Sequence, residues 1–330
     1  MLVSTRGTGP LVVAAVALLT AGCGSSPTGP DGAASGPLRI VADPIVTLTV
    51  GESTALGLEL DGRIQPGSSA TWSTNDASVA TAGADGTING RAYGEALITA
   101  RLNAATATVR IWVQLPESQP STYRITFVFA DDVHPAWREA YEWAAERWSQ
   151  VIRTAMPAYD LTGNTFCKFP AGIPPIAGLE TGTRVVVLTS PNSNSGGPCV
   201  RRAMPRPTTV LGVIEASHSP RLDLNSPFTN VRGTAMHELG HVLGLVGMTN
   251  DAVPWFDPKT SRYTGVFALE GYRRLFGTSV PYVELLPGNW HWRGFIGEMM
   301  TSPPSGPITT ISVGALMDIG YPAAWYGSDR

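Results

Sequence analysis

From Leu38 to Gln114 apolar and polar residues alternate in short runs: IVTLTVGES, TALGLEL, ATWST, SVATAGADGTING, EALITARL and ATVRIWV. A period of two predicts strands with one buried face, and the Gly, Asp and Asn between the runs predict turns, so this stretch is expected to form an all-β sandwich. Pro116 and Pro120 then mark a stiff linker over 116–122. The pattern changes beyond it. YRITFVF, from Tyr123, reads as a strand, and Trp137, Tyr141, Ala144, Trp148, Val151 and Ala155 recur at helical spacing behind Asp131, Asp132 and Pro135. Their aromatic stripe is expected in the core. Two β-branched runs follow, Arg184–Thr189 and Thr209–Glu215, then a helix through HELGHVLGL (237–245) and a closing helix in ISVGALMDIG that ends at Gly320. Strand, long helix, further strands and helices predict an α+β domain over 123–330.

The first residues are patterned differently. Arg6 precedes an apolar run from Leu11 to Leu19, too short to span a bilayer, which closes on Thr20-Ala21-Gly22-Cys23. Residues 1–22 therefore read as an export signal. Small residues before a cysteine resemble the lipobox of bacterial lipoproteins, which implies a lipidated Cys23 as first mature residue and a tether over 23–37. An ordinary secretory peptide is the alternative. Export is expected in either case, to the cell-envelope surface or the medium.

Composition narrows the picture. The chain has 330 residues, 43% hydrophobic and 15% charged, with 36 Gly and 27 Pro, which suits folded domains rich in strand and loop. A net charge of −3, with no run of one sign, gives no electrostatic reason for a nucleic-acid partner. A membrane is expected only through the lipid at Cys23. Setting that residue aside leaves Cys167 and Cys199, and an even pair in an oxidising compartment is expected to form a disulfide.

Candidate chemistry centres on HELGH. His237 and His241, one helical turn apart, can point ring nitrogens at one ion, and Glu238 beside them suits the general base for a metal-activated water. Apolar Met236, Leu239, Val242 and Leu243 would bury the opposite face, and Gly244 can end the helix with positive φ. The motif supplies two ligands. A downstream glutamate could provide a third, but the histidine beyond the motif is His291, in NWHWRGFIGEMMT. His134, before a helix proline, and His218, in a Ser/Pro loop, read as capping or surface residues. Asp251, Asp257, Glu270 and Glu284 lie between the proposed ligands, where a calcium or substrate contact is conceivable without EF-hand order. LEGYRRLF reads as a short helix with a solvated basic face, and Asp318 as structural.

Two resemblances sharpen these expectations. VTLTVGES followed by ATWSTNDASVATAGADGTINGRAYGEALITA resembles bacterial Ig-like group 2 domains, which implies an Ig-like sandwich over 38–115, with Trp72 in the core, a hairpin turn at Asp85-Gly86 and a tight turn at Gly94. A spacer role would follow. HELGHVLGL, then HWRGFIGEMMT and ITTISVGALMDIGY, resembles the leishmanolysin family of metzincin zinc endopeptidases. The resemblance implies a metzincin-type peptidase domain acting on protein or peptide substrates. Its zinc ligands would be His237, His241 and His291, with Glu238 as base and Met300 as the methionine-turn residue beneath the metal; Met299 competes for that place. It also implies an edge strand that pairs with substrate, for which TTVLGVIEAS (208–217) is the choice. The chain departs from the family in showing no inhibitory prodomain with a metal-capping cysteine, a part Cys167 could play if it were not paired. An alternative function is a cell-surface binding or adhesion protein whose peptidase-like domain is inactive or holds zinc structurally.

Overall fold

The computed structural model describes residues 37–191, 193–219, 230–246, 253–257, 259–287, 291–294, 297–304 and 306–329. The signal segment, Cys23 and most of the tether lie outside the described residues, as does Asp251. Among the described residues no helix is long and apolar enough to cross a membrane.

The N-terminal unit is an Ig-like β-sandwich. Its strands are β1 (Leu38–Val41), β2 (Ile45–Thr49), β3 (Ser53–Ala55), β4 (Gly57–Leu60), β5 (Arg63–Gln65), β6 (Thr71–Thr74), β7 (Ala80–Ala82), β8 (Thr87–Gly90), β9 (Gly94–Leu102) and β10 (Ala105–Gln114). A four-stranded sheet of order β2-β10-β9-β6 faces two small ones, β1-β4-β5 and β3-β8-β7. Leu48, Ile98, Ile111 and Val113 from the large sheet meet Leu56 and Ile88 in one core, and Leu58 and Leu60 cover Ala100 in another. Trp72 packs against both and donates its Nε1–H to Gly67 at 2.8 Å. Asp85 and Gly86 turn the chain between β7 and β8, with Gly86 at φ 84° where a side chain would be strained.

Strict alternation along β10 has a second consequence. Ile111 and Val113 point into the sandwich, so Arg110, Trp112 and Gln114 point out of it, and there they meet the second domain rather than water. Trp112 is 3% exposed and belongs, with Ile45, to the core that contains Phe267, Tyr321 and Trp325. Gln114 Oε1 accepts from Trp325 N at 3.2 Å, and Tyr93 donates its hydroxyl to the Tyr321 carbonyl at 3.3 Å.

The second domain begins with β11 (Ile125–Phe129) and α1 (Pro135–Val151). His134 caps α1, accepting Ala136 N–H on Nδ1 at 3.1 Å. Five members of the expected stripe, Trp137 to Val151, are buried, but the helix stops there: Ala155 lies beyond it and donates its N–H to Thr122 Oγ1. A short hairpin, β12 (Tyr159–Asp160) with β13 (Leu179–Glu180), leads to β14 (Thr183–Ser190), β15 (Ser195–Arg201) and β16 (Thr209–Ser217). The sheet has the order β11-β14-β16-β15; the first three are parallel and β15 runs antiparallel on the edge.

That order corrects one expectation. Thr209–Ser217 is an interior strand, not the edge. The edge is Ser195–Arg201, whose SGGPC start conceals a strand behind turn-forming residues. After α2 (Val231–Val242), small strands β17 (Phe256–Asp257), β18 (Arg262–Tyr263) and β19 (Val283–Glu284) surround α3 (Val266–Phe276), and α4 (Thr310–Ile319) closes the domain at Gly320, φ 104°. Asp318 accepts the N–H groups of Phe267 and Ala268, each at 3.0 Å, and so caps α3 from α4. The basic face of α3 is not solvated as expected. Arg273 and Arg274 both bind buried Glu270; Arg273 also reaches Asp43, and Arg274 reaches Thr47 Oγ1 at 2.9 Å, on the sandwich.

Candidate metal centre

Helix α2 presents the motif because its two ends are fixed. Asn230 caps the start by accepting Gly233 N–H at 3.0 Å, and the chain leaves the helix through Gly244 at φ 96° and Val246 at φ 47°. Met236, Leu239 and Val242 are buried: Trp148 of α1 donates its Nε1–H to the Met236 carbonyl at 3.0 Å, and Val242 packs against Gly212 of β16. His237 and His241 are left on the other side. His291 arrives from a separate segment pinned by Leu286 N to His291 O at 2.9 Å and Trp292 N to Met300 O at 3.0 Å.

The three imidazoles converge. Nε2 of His237 lies 3.0 Å from Nε2 of His291 and 3.1 Å from that of His241, and the third side of the triangle is 3.2 Å. His237 Nδ1 lies 2.8 Å from the Met299 carbonyl and His241 Nδ1 3.3 Å from that of Leu245. A carbonyl can only accept, so both Nδ1 atoms carry hydrogen, and the two Nε2 atoms face each other with lone pairs. Burial lowers the proton affinity of all three rings, most for His241, where His237 and His291 add to it, and the His291 value falls to about 4.

Neutral nitrogens converging this closely form a donor set that a cation between them would satisfy. Three donors placed tetrahedrally at the usual zinc–nitrogen distance stand ~3.3 Å apart, a few tenths of an ångström beyond those observed. The donor set therefore fits zinc. Among the described residues this is the one group of three or more His, Cys, Asp or Glu gathered closely enough to hold an ion.

Glu238 is 6% exposed; its Oε2 has no hydrogen-bond partner among the described residues. Burial pushes its carboxyl up to about 7, against the Gly196 N–H that it accepts. A group of this kind suits proton transfer near neutrality. It lines a cleft of about 570 Å³ with the three histidines and Thr234, together with Asn194, Ser195–Pro198 of the edge strand and Ser302–Pro304. β15 lies so close that a Cβ on Gly196 would fall 2.4 Å from the Glu238 carbonyl oxygen.

Below the helix, Met300 is fully buried, with its sulfur against Gly240. Met299 is buried too, but it is its carbonyl that touches His237. Cys167 and Cys199 are disulfide-bonded with Cα atoms 6.0 Å apart, which ties the loop after β12 to the edge strand and removes Cys167 from the metal. His218 is exposed, outside the cluster. Asp257 holds a turn through Lys259 N and Thr260 Oγ1, Glu270 pairs with arginines, and Glu284 stands 3.9 Å from Arg293, so these carboxylates serve separate local contacts. Sequence reasoning missed Glu298, which is 1% exposed and accepts hydrogen bonds from Met300, Thr309 and Ser312. Burial pushes it up to about 7 while these donors pull it down.

No family model matches the chain. No curated protein matches it either. Solved structures to which it is similar include domains 4 and 5 of the S-layer protein SbsC, at 17% identity, 23% of this chain, 50% of that one and a TM-score of 0.20. An EHEC O157:H7 intimin mutant gives 19% identity, 23% and 42% coverage and a TM-score of 0.17. A bacterial Ig-like domain containing GH10 xylanase from termite gut gives 17% identity, 28% and 26% coverage and 0.18. The chain thus spans half or less of these solved chains. At such TM-scores they add nothing to what the strand pairing defines, an Ig-like unit ahead of a second, α+β domain.

Proposed function

We propose that the chain is an exported zinc endopeptidase similar to the leishmanolysin family of metzincins, with an Ig-like unit docked on its peptidase domain. The observation that carries this reading is the convergence of His237, His241 and His291 within 3.2 Å beside a buried carboxylate in an open cleft. The three Nε2 atoms would hold zinc, which when bound supplies a Lewis acid for the attacking water and the scissile carbonyl.

The remaining work falls to the chain. Glu238 takes a proton from the attacking water on its unpartnered Oε2 and returns it to the leaving amine. β15 offers an edge beside the cleft, along which an extended peptide can add as a further strand by main-chain hydrogen bonds. Met300 packs under α2 and fixes the height of the ligand helix. The Met299 carbonyl holds the His237 tautomer, as the outer hydrogen-bond partner of a metal-bound histidine commonly does.

A second reading, a cell-surface binding protein with a structural zinc, draws on the Ig-like sandwich, an architecture shared by many cell-surface domains. Against it, structural zinc sites are closed by four protein ligands, whereas three histidines beside a base leave one position open. Cleavage of unfolded casein decides between them. The wild type is expected to cleave, chelation to stop it, and Glu238→Ala to lower turnover by at least ~10²-fold with zinc retained. A zinc-loaded wild type that leaves casein intact contradicts the peptidase reading. Export through residues 1–22 and lipidation at Cys23 are part of the proposal, and metabolic labelling with a fatty acid, lost in Cys23→Ala, tests the latter.

A further inference from the structure

The peptide group between Met299 and Met300 is held at both ends. Its carbonyl oxygen lies 2.8 Å from Nδ1 of His237, and its N–H, on Met300, donates to Oε2 of Glu298. The other carboxylate oxygen of Glu298 accepts from Ser312 Oγ at 2.7 Å and from Thr309 N and Oγ1, each at 3.4 Å. These hydroxyl protons have little choice of direction. Ser312 Oγ receives the Nε1–H of Trp292 at 3.0 Å and Thr309 Oγ1 receives Ile311 N–H at 3.3 Å, so each hydroxyl turns its own hydrogen to Glu298. All of these partners are neutral and all donate.

We propose that Glu298 is a positioning residue for the metal centre, acting on the first ligand, His237, through the Met299–Met300 peptide. A metal-bound histidine usually gives its second ring N–H directly to a carboxylate or a carbonyl. Here the two are in series. The carboxylate draws on the Met300 N–H, the peptide is polarised, and the Met299 oxygen becomes a stronger acceptor for Nδ1–H. Hydrogen bonds in such chains strengthen one another by ~10–30% each. His237 is thereby held in the tautomer that leaves Nε2 for the ion, and that nitrogen is made more basic.

The same carboxylate reaches the third ligand. Ser312 links it to Trp292, the neighbour of His291, and Thr309 is the N-cap of α4. One buried group therefore registers both the HELGH helix and the distant His291 segment against α4. This inference rests on the metal-centre reading above and adds a residue to it.

The test uses the full chain and reads zinc affinity and histidine tautomers rather than activity. At mildly alkaline pH, chelator competition is expected to show zinc bound about tenfold more weakly by Glu298→Gln than by wild type. In the metal-free proteins, nitrogen-15 spectra are expected to show His237 as one Nδ1–H tautomer in wild type and as a mixture in the variant. Ser312→Ala, which keeps the carboxylate and both peptide contacts, separates this role from simple bracing: it should lose thermal stability yet stay within about threefold of wild-type affinity.

A wild-type measurement guards against misfolding of the variant: the Met300 amide proton should shift when zinc is added. Affinity of Glu298→Gln within about twofold of wild type overturns the inference, and so does a Met300 amide that stays put while the histidine resonances move. Wild type that takes up no zinc overturns the metal-centre reading, and this inference with it.

Discussion

Trp112, on the outer face of β10, meets Phe267 of α3 edge to face, with ring centroids 4.8 Å apart. Tyr93 also meets the same indole edge to face, at 5.3 Å, so Trp112 lies between its own sandwich and the second domain. The contact is apolar and buried. The two units share one core at this point, and they are expected to unfold together. Trp112→Ala should cost about 3 kcal/mol, the low end for a buried tryptophan because its Nε1 has no partner among the described residues. Denaturant unfolding followed by near- and far-ultraviolet circular dichroism checks this; two separate transitions, only the first of them moved, would refute the shared core.

Gly240 is placed to feel the packing under the metal helix. A Cβ there would lie 2.3 Å from the Met300 sulfur. Methionine can yield, but only by shifting against a core that is already full. Gly240→Ala is therefore expected to destabilise the chain by ~1–3 kcal/mol and to weaken zinc binding, and Gly240→Ala with Met300→Ala should lose less than the sum of the two single losses. A double-mutant cycle in chemical denaturation measures the coupling. Additive effects would mean that the two residues do not meet.

A buried carboxylate gives the pH prediction. Burial pushes Asp318 up to about 7, against the Phe267 and Ala268 N–H groups and the Arg110 charge that pull it down. The folded chain then holds this proton more tightly than the unfolded chain does. Its contribution to stability is complete below the unfolded value of 3.8 and is lost as pH rises through about 7. Denaturation midpoints should fall between about pH 4 and about pH 7, and Asp318→Asn should flatten that slope. An unchanged slope in the variant assigns the effect elsewhere.

The disulfide supports the edge strand. Cys167 and Cys199 are 32 residues apart, and closing a loop of that size stabilises a chain by roughly 3–4 kcal/mol in the chain-entropy account. Cys167→Ala with Cys199→Ala is expected to lower stability by about that amount and to speed hydrogen exchange first along β15 and the loop after β12. Exchange that rises uniformly, or nowhere, would contradict a local role.

Much of this was legible in the residues. Period-two alternation located the sandwich, and helical spacing from Trp137 to Val151 located α1, because both patterns come from one face being buried. The motif named two of the converging histidines by spacing alone. His291 needed a family resemblance, since no local pattern links it to a helix 50 residues earlier. The edge strand was hidden because Gly196, Gly197 and Pro198 read as a turn; a glycine is required there by the close approach to Glu238. Arg273 and Arg274 looked solvated because a sequence does not say that Asp43 and Thr47 will face them. Glu298 was invisible for a related reason: its partners come from Met300, Thr309 and Ser312, and only the fold gathers them. Trp112 did give a signal, an indole on the polar side of an alternating strand.

The central claim is that His237, His241 and His291 together hold one catalytic metal ion. Metal analysis of the purified full chain, after equilibration with zinc and removal of excess, tests it most directly. One zinc per chain is expected in the wild type, and His291→Ala should lose it under the same conditions while keeping its fold. A wild type without zinc, or a His291→Ala variant that still carries one per chain, would contradict it.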